Sequence, residues 1–223
     1  GPGHGFQYQV YDSANCFGSG VGFQRSTNGG VTWQSPVNIP NAPIYGTVDV
    51  DTNGNVFVGG WTGGTGFRCV RSSNAQIAGQ TPSFDRNTAV NLGGGLLYPG
   101  AVNPEGLAGQ VFLAVDRSGS ATNNNIYMLC SALPAGRTTT DVMFVRSTNG
   151  GLSFSTPVRI NDDGKVRFVG LSNFTRDEID ECMQHQRIDV VQYGWHLFDR
   201  RMQRDVFPYC DEHNIGVMAY GSL

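Results

Sequence analysis

Lysine is all but missing from this chain. Of 15 basic residues among 223, Lys165 is the sole lysine, and against 18 acidic residues the net charge is −3. That balance excludes the basic surface expected of a nucleic-acid or anionic-membrane partner. Long apolar runs are missing as well; none approaches the ~20 residues that span a bilayer. No C-x-x-C pair links the five cysteines, Cys16, Cys69, Cys130, Cys182 and Cys210. Their spacing excludes a zinc site of the usual kind, their odd number excludes a complete disulfide framework, and they read as small buried apolar residues. The chain starts at Gly1 with no leader pattern, which reads as a processed, tagged or truncated N-terminus.

Charge is scarce in one part only. Residues 1–163 hold 26 glycines and 17 charged residues, whereas residues 164–223 hold 5 glycines and 16 charged residues. The first composition suits short strands and tight turns, the second helices with solvated faces. Two domains are therefore expected, 1–163 and 164–223, with the seam near Asp163 and Gly164.

What the first piece does contain is a repeat. Arg25-Ser26-Thr27-Asn28-Gly29-Gly30-Val31-Thr32-Trp33 returns as Arg146-Ser147-Thr148-Asn149-Gly150-Gly151-Leu152-Ser153-Phe154. A weaker copy, Arg71-Ser72-Ser73-Asn74, lies between them. Recurrence at such intervals marks one supersecondary unit used several times. Asparagine and serine can bond nearby backbone amides, and glycine permits positive φ, so each copy is expected to turn the chain between two strands. Apolar and β-branched runs at 7–11, 21–25, 36–39, 47–50, 55–60, 67–71, 89–92, 111–116, 125–130, 141–146 and 157–160 predict an antiparallel all-β fold.

The pattern Ser26-x-Asn28-x-Gly30-x-x-Trp33 and Ser147-x-Asn149-x-Gly151-x-x-Phe154 resembles the Asp-box (BNR) repeat of sialidase-like β-propellers, with Asn in place of the usual Asp. The resemblance extends over about residues 7–163. It implies about three propeller-like blades, too few for a closed ring of four to eight, so open sheet edges and self-association through them are expected. Glycan is the ligand class it implies. The sialidase arginine triad, Tyr/Glu pair and acidic Asp have no counterparts, and Arg25, Arg71 and Arg146 read as strand-end residues. Trp61 reads as blade packing ahead of sugar stacking.

From residue 164 the period changes. A strand at 166–171 is followed by Thr175-Arg176-Asp177-Glu178, a capping box in which the threonine and glutamate satisfy each other's backbone amides. Ile179, Cys182 and Met183 then form a helical stripe. A strand at 188–192, a helix at about 203–213 and a strand at 215–220 complete β-α-β-α-β, a parallel fragment of a β/α barrel. Pro208 fits that second helix only in its first turn or at a kink, and Asn214 can stop it in a left-handed conformation.

The run Gly164-Lys165-Val166-Arg167-Phe168-Val169-Gly170-Leu171-Ser172-Asn173-Phe174 is similar to the fifth-strand signature of aldo-keto reductases. Ile188 to Gln192, Pro208-Tyr209-Cys210 and Gly216 to Leu223 follow in that family's order. The resemblance implies NADP as cofactor, with Ser172, Asn173 and Gln192 holding the nicotinamide carboxamide. Tyr220 would stack on the ring, and Gly221, Ser222 and Leu223 would open the pyrophosphate loop. The family's catalytic Asp, Tyr, Lys and His precede this segment and have no counterpart here, so the cofactor site is expected to be incomplete. His185, His196 and His213 read as surface residues. No catalytic and no metal-binding residue is assigned.

Three readings stand at this point. One is a fusion of two partial domains without a complete catalytic centre. The second is an NADP-dependent oxidoreductase of carbonyl substrates. The third is a glycan-binding or sialidase-like module. The two resemblances point to opposite compartments, export for the first and the cytoplasm for the second.

Overall fold

The computed structural model describes residues 2–12, 21–64, 66–96, 110–138, 140–160 and 168–221. The chain divides into two compact units, one drawn from Gly1–Pro99 and Leu107–Ile160, the other from Gly100–Gly106 and Asn161–Leu223. Residues 161–167, where the seam was expected, lie outside the described residues, as does Cys16.

Unit one is three antiparallel sheets. The first takes β1 (Gln7–Asp12), β2 (Val21–Ser26) and β3 (Val37–Asn38) in that order. The second takes β4 (Ile44–Val50), β5 (Val56–Trp61), β6 (Phe67–Ser72) and β7 (Arg86–Val90), also in sequence. In the third, β8 (Gly95–Leu96) and β9 (Phe112–Val115) pair with different stretches of β10 (Ile126–Leu133), which pairs with β11 (Asp141–Ser147) and it with β12 (Val158–Arg159).

Two strands depart from expectation for local reasons. The strand foreseen at 89–92 is β7, ending at Val90, because the Asn91 carboxamide accepts from the Gly93 amide at 2.8 Å and turns the chain. That foreseen at 36–39 shrinks to two residues, since Pro36 has no amide to give a ladder.

Alternation along the strands divides inside from outside. On β10, Ile126, Met128, Cys130 and Ala132 are buried and Tyr127, Leu129, Ser131 and Leu133 are not. The buried set joins Phe57, Phe67 and Cys69 of the second sheet in one core. A second core joins Phe23 of the first sheet to Val56, Val58 and Val70 on the other face of the second. Each such side chain contributes on the order of 1.5–3 kcal/mol by leaving water. Burial also pushes the Cys69 and Cys130 thiols up to about 12, so neither is a nucleophile at neutral pH.

The repeated motif closes its turns by side chain. Ser26 Oγ accepts from the Gly30 amide at 2.8 Å, and Asn28 Oδ1 accepts from the Thr32 amide at 2.9 Å. Ser147 and Asn149 repeat those bonds to Gly151 and Ser153 at 2.9 and 3.0 Å. Gly150 and Gly151 sit at φ of 66° and 79°, where a side chain would be strained. The middle copy, without glycines, makes a longer loop in which Asn74 Oδ1 reaches the Ser83 amide at 2.8 Å.

Arg25 stands next to the end of β2, as its sequence reading has it, yet it is 1% exposed. Its guanidinium donates to the carbonyls of Ala75, Ile77, Ala78 and Gln80 at 2.6–3.3 Å, and its Nε donates to Gln34 Oε1 at 2.9 Å. No carboxylate takes part. A buried charge persists only when its donors are filled, and here five of them are.

Unit two is a parallel sheet with helices. Its elements are β13 (Gly170–Ser172), α1 (Arg176–Met183), β14 (Val190–Gly194), a short 3-10 turn (Arg201–Gln203), α2 (Val206–Glu212) and β15 (Gly216–Tyr220), with β14 central. The capping box forms: Thr175 N donates to Glu178 Oε2 at 2.7 Å and Glu178 N to Thr175 Oγ1 at 3.4 Å. The second helix breaks into a 3-10 turn and α2 because Asp205 leaves helical geometry, at φ −129° and ψ −60°, with no capping bond. Pro208 is the third residue of α2, where it takes no intrahelical bond away, and Asn214 follows at φ 55°. Ile179, Ile188, Val191, Tyr193, Val206, Tyr209, Cys210 and Ile215 make the core. No described helix is long and apolar enough to cross a membrane.

Replacing Arg25 by Met strands the Ala78 and Gln80 carbonyls and leaves those of Ala75 and Ile77 with one donor each, the Tyr8 hydroxyl and the Gln80 amide. We expect the first transition in urea unfolding to lose about 2–4 kcal/mol, whereas Arg146→Met, at an exposed side chain, costs under about 0.5 kcal/mol.

Candidate functional site

Parallel pairing sets the site's rows. Ser172 lies beside Gln192 and Gln192 beside Met218; one step on, Gly194 lies beside Tyr220. Because neighbours in register share a face, Ser172, Gln192, Met218 and Tyr220 project from one side of the sheet. Val191 and Tyr193 project from the other into the helix-covered core. The polar side chains stand at the C-terminal ends of β13 and β14, the end at which parallel strands of β/α folds carry their ligands.

Asn173 continues the ladder. Its amide donates to the Gln192 carbonyl at 3.0 Å, and its backbone takes the left-handed region at φ 63°, which asparagine tolerates. The turn aims its carboxamide at Tyr220, whose hydroxyl donates to Asn173 Oδ1 at 2.8 Å. With Oδ1 accepting, Nδ2 is left as a free donor. The Tyr220 ring, 44% exposed, lies over Gly194, whose missing side chain would meet ring carbons at 3.4 Å. Glycine at 194 therefore lets the ring lie flat. Among the described residues, the Ser172 hydroxyl and the Gln192 carboxamide have no side-chain partner.

This arrangement can recognise a primary amide. A carboxamide ligand offers one acceptor and two donors. Asn173 Nδ2 supplies a donor, Gln192 a donor and an acceptor, and Ser172 either. The exposed Tyr220 ring supplies a face for a planar heterocycle. On those grounds the residues present fit a nicotinamide.

The structure thus brings Ser172, Asn173, Gln192 and Tyr220 to one edge. Gly221 follows Tyr220 at φ 62°, while Ser222 and Leu223 lie outside the described residues. Two features were not read from the sequence. The hydroxyl bond from Tyr220 to Asn173 joins residues 47 apart and leaves no local pattern. Gly194 has a signal, a glycine closing a strand, whose usual meaning is close approach of another group. His213 is engaged elsewhere, its Nδ1 2.9 Å from the Tyr209 carbonyl and its ring stacked on that of Tyr209, while His196, in the loop after β14, accepts from the Phe198 amide at 3.2 Å. On the loop after β14, Asp199 holds Arg201 at 2.8 and 3.0 Å, bonds that draw its carboxyl down to about 2. An open cleft of about 690 Å³ lined by Arg200, Arg201, Gln203 and Arg204 lies on the same loop. No group of three or more His, Cys, Asp or Glu able to hold a metal occurs among the described residues.

Comparison with known proteins bears on this edge. Residues 158–223 match the aldo/keto reductase family. An NADH-specific methylglyoxal reductase of Escherichia coli (strain K12) is 31% identical over 64 residues, 29% of this chain and 20% of that protein. The aldo-keto reductase YhdN of Bacillus subtilis (strain 168) is 36% identical over 62 residues, 28% of this chain and 19% of that protein. The chain thus spans about one-fifth of the length of these relatives. The match covers the C-terminal region and favours the oxidoreductase reading over that of a fusion without a working centre. The Asp-box resemblance of residues 7–163 rests on their own residues alone.

Support beneath the site has a titration signature. Tyr193 is 2% exposed, its hydroxyl donates to the Phe174 carbonyl, and burial pushes its pKa up to about 12 from 10.0. A raised phenol pKa favours the neutral form in the fold, so its contribution is complete below pH 10 and is lost as pH rises towards 12. Burial pushes Tyr209 up to about 12 as well, so we expect ultraviolet titration to show a late phenolate component that Tyr193→Phe reduces by about half.

Proposed function

We propose that the C-terminal unit holds the nicotinamide end of an NAD(P)H cofactor and that the chain acts in NAD(P)H-linked oxidoreduction of a carbonyl substrate. The observation that carries this is the trio of Ser172, Asn173 and Gln192 beside the exposed Tyr220 ring at one edge of a parallel sheet. The match of residues 158–223 to the aldo/keto reductase family supports it. Bound there, a nicotinamide supplies a hydride. Asn173, Gln192 and Ser172 would fix the carboxamide, and with it which ring face is offered. Tyr220, its hydroxyl engaged by Asn173, would support the ring. Arg200, Arg201 and Arg204 place positive charge on the loop after β14, which suits phosphate oxygens.

The substrate class follows by analogy with the methylglyoxal reductase: a small aldehyde or ketone. None of the four edge residues is a free, positioned acid, so protonation of the product oxygen falls to another group or to water. A second reading has its own observation. The change from antiparallel sheets to a parallel one within a single chain suits a fusion that retains binding without turnover.

Isothermal titration of the full chain with NADH and with NADPH tests the proposal. Binding of at least one is expected, weakened about tenfold or more by Gln192→Ala, the cost of one lost amide bond in a site that excludes water. Absence of heat and of fluorescence change with both cofactors at millimolar concentration overturns it. Consumption of NADH or NADPH with methylglyoxal assigns the whole reaction, and binding without consumption assigns the second reading.

A further inference from the structure

Three register pairs repeat one design in unit one. An aromatic residue lies directly across from the motif arginine in each sheet: Tyr8 from Arg25, Phe57 from Arg71 and Tyr127 from Arg146. The first two pairs are packed against the turn of the following sheet. Arg25 donates to the loop carbonyls after Asn74, and Tyr8 donates its hydroxyl to the Ala75 carbonyl at 3.4 Å. Arg71 Nη1 and the Phe57 ring each come within 3.6 Å of where a side chain on Gly150 or Gly151 would begin, and Arg86 adds a bond to the Gly150 carbonyl. The third pair has no such turn. Arg146 is exposed with no side-chain bond among the described residues, and Tyr127 is half-buried, stacked on Phe144. Leu129, Val142 and Phe144 make the rest of that outward face, with Phe112 55% exposed at its rim.

The first sheet shows the converse. Its turn at Asn28–Gly30 receives no bond from any described arginine, and nothing lies within 4 Å of a side chain placed on Gly29. Trp33 occupies the motif position of Phe154. Phe154 packs on the core between the second and third sheets, whereas Trp33 is 37% exposed and Val31 80%. The first unit therefore has a socket on its third sheet, an arginine beside an apolar face, and a plug on its first, a turn with a partly exposed tryptophan, the turn touching only Gln7 of its own sheet at Gly30.

We propose that a second copy of this chain fills both. The Asn28–Gly30 turn and Trp33 of one copy dock on Arg146, Tyr127 and Phe144 of the other, repeating the contact that Arg71 and Phe57 make with the Gly150–Gly151 turn inside each copy. Two copies, each with three sheets, close the cycle through two such junctions, and the resulting six sheets fall within the four to eight of radial sheet arrays. The faces of the end sheets make this contact, distinct from pairing through open strand edges.

Sedimentation velocity of the full chain, from micromolar concentration upwards, is expected to show a dimer. Arg146→Glu and Trp33→Asp, both surface changes, are each expected to weaken it about tenfold or more. An equimolar mixture of the two variants regains association, because one of its junctions pairs an intact turn with an intact arginine. Circular dichroism confirms their folding, and Arg146→Gln with Trp33→Ser serve if either charged variant unfolds. A monomer at every concentration overturns the proposal, as does a dimer indifferent to both changes. A mixture that associates no better than either variant alone overturns it too, since the Trp33 turn and Arg146 then do not meet across a junction.

Discussion

A guanidinium with no carboxylate beside it governs the first unit. Arg25 is out of water, and its donors are satisfied by peptide carbonyls of the loop beyond Asn74 and by Gln34. The requirement runs both ways. Those carbonyls turn inward and need donors, so the loop has one conformation only while the arginine is in place. Local turn chemistry thus becomes inter-sheet order, and the aliphatic packing of Phe23 against Val56, Val58 and Val70 holds the two sheets at the distance the bonds require. Between the second and third sheets Arg86 and Thr88 meet the carbonyls of Gly150 and Gly151 in the same spirit.

In the second unit the corresponding constraint is register. Once Val191 and Tyr193 are committed to the helix side, period two commits Gln192 and Gly194 to the other. Ser172 and Tyr220 follow through parallel pairing. The amide-lined edge is thus a consequence of where the apolar side chains go, and the capping box of Thr175 and Glu178 ends the loop that carries Asn173.

Much of this could be read ahead of the structure, and the reasons differ by element. The Ser-x-Asn-x-Gly copies announced their turns because both partners of each bond lie within four residues. Thr175 and Glu178 announced a helix start for the same reason. That Ser172, Asn173, Gln192 and Tyr220 meet at one edge could be anticipated only through their order in a longer signature; nothing in their own spacing states it. The burial of Arg25 was invisible, because all its partners but Gln34 lie 50 or more residues away and are backbone atoms, which carry no side-chain identity. The break before α2 was equally hidden, since Asp205 is an acceptable helix residue whose departure is set by its surroundings.

β15 is exposed along all five residues and, among the described residues, pairs with β14 alone. Its peptide groups should therefore trade protons for deuterium sooner than those of β14, which has neighbours on both sides. Tyr220 and, through it, the Asn173 carboxamide hang from this compliant border. Were the proposed cofactor to settle against the ring, it would stiffen the border as it arrived, and the amide edge would tighten around it rather than receive it as a mould cast beforehand.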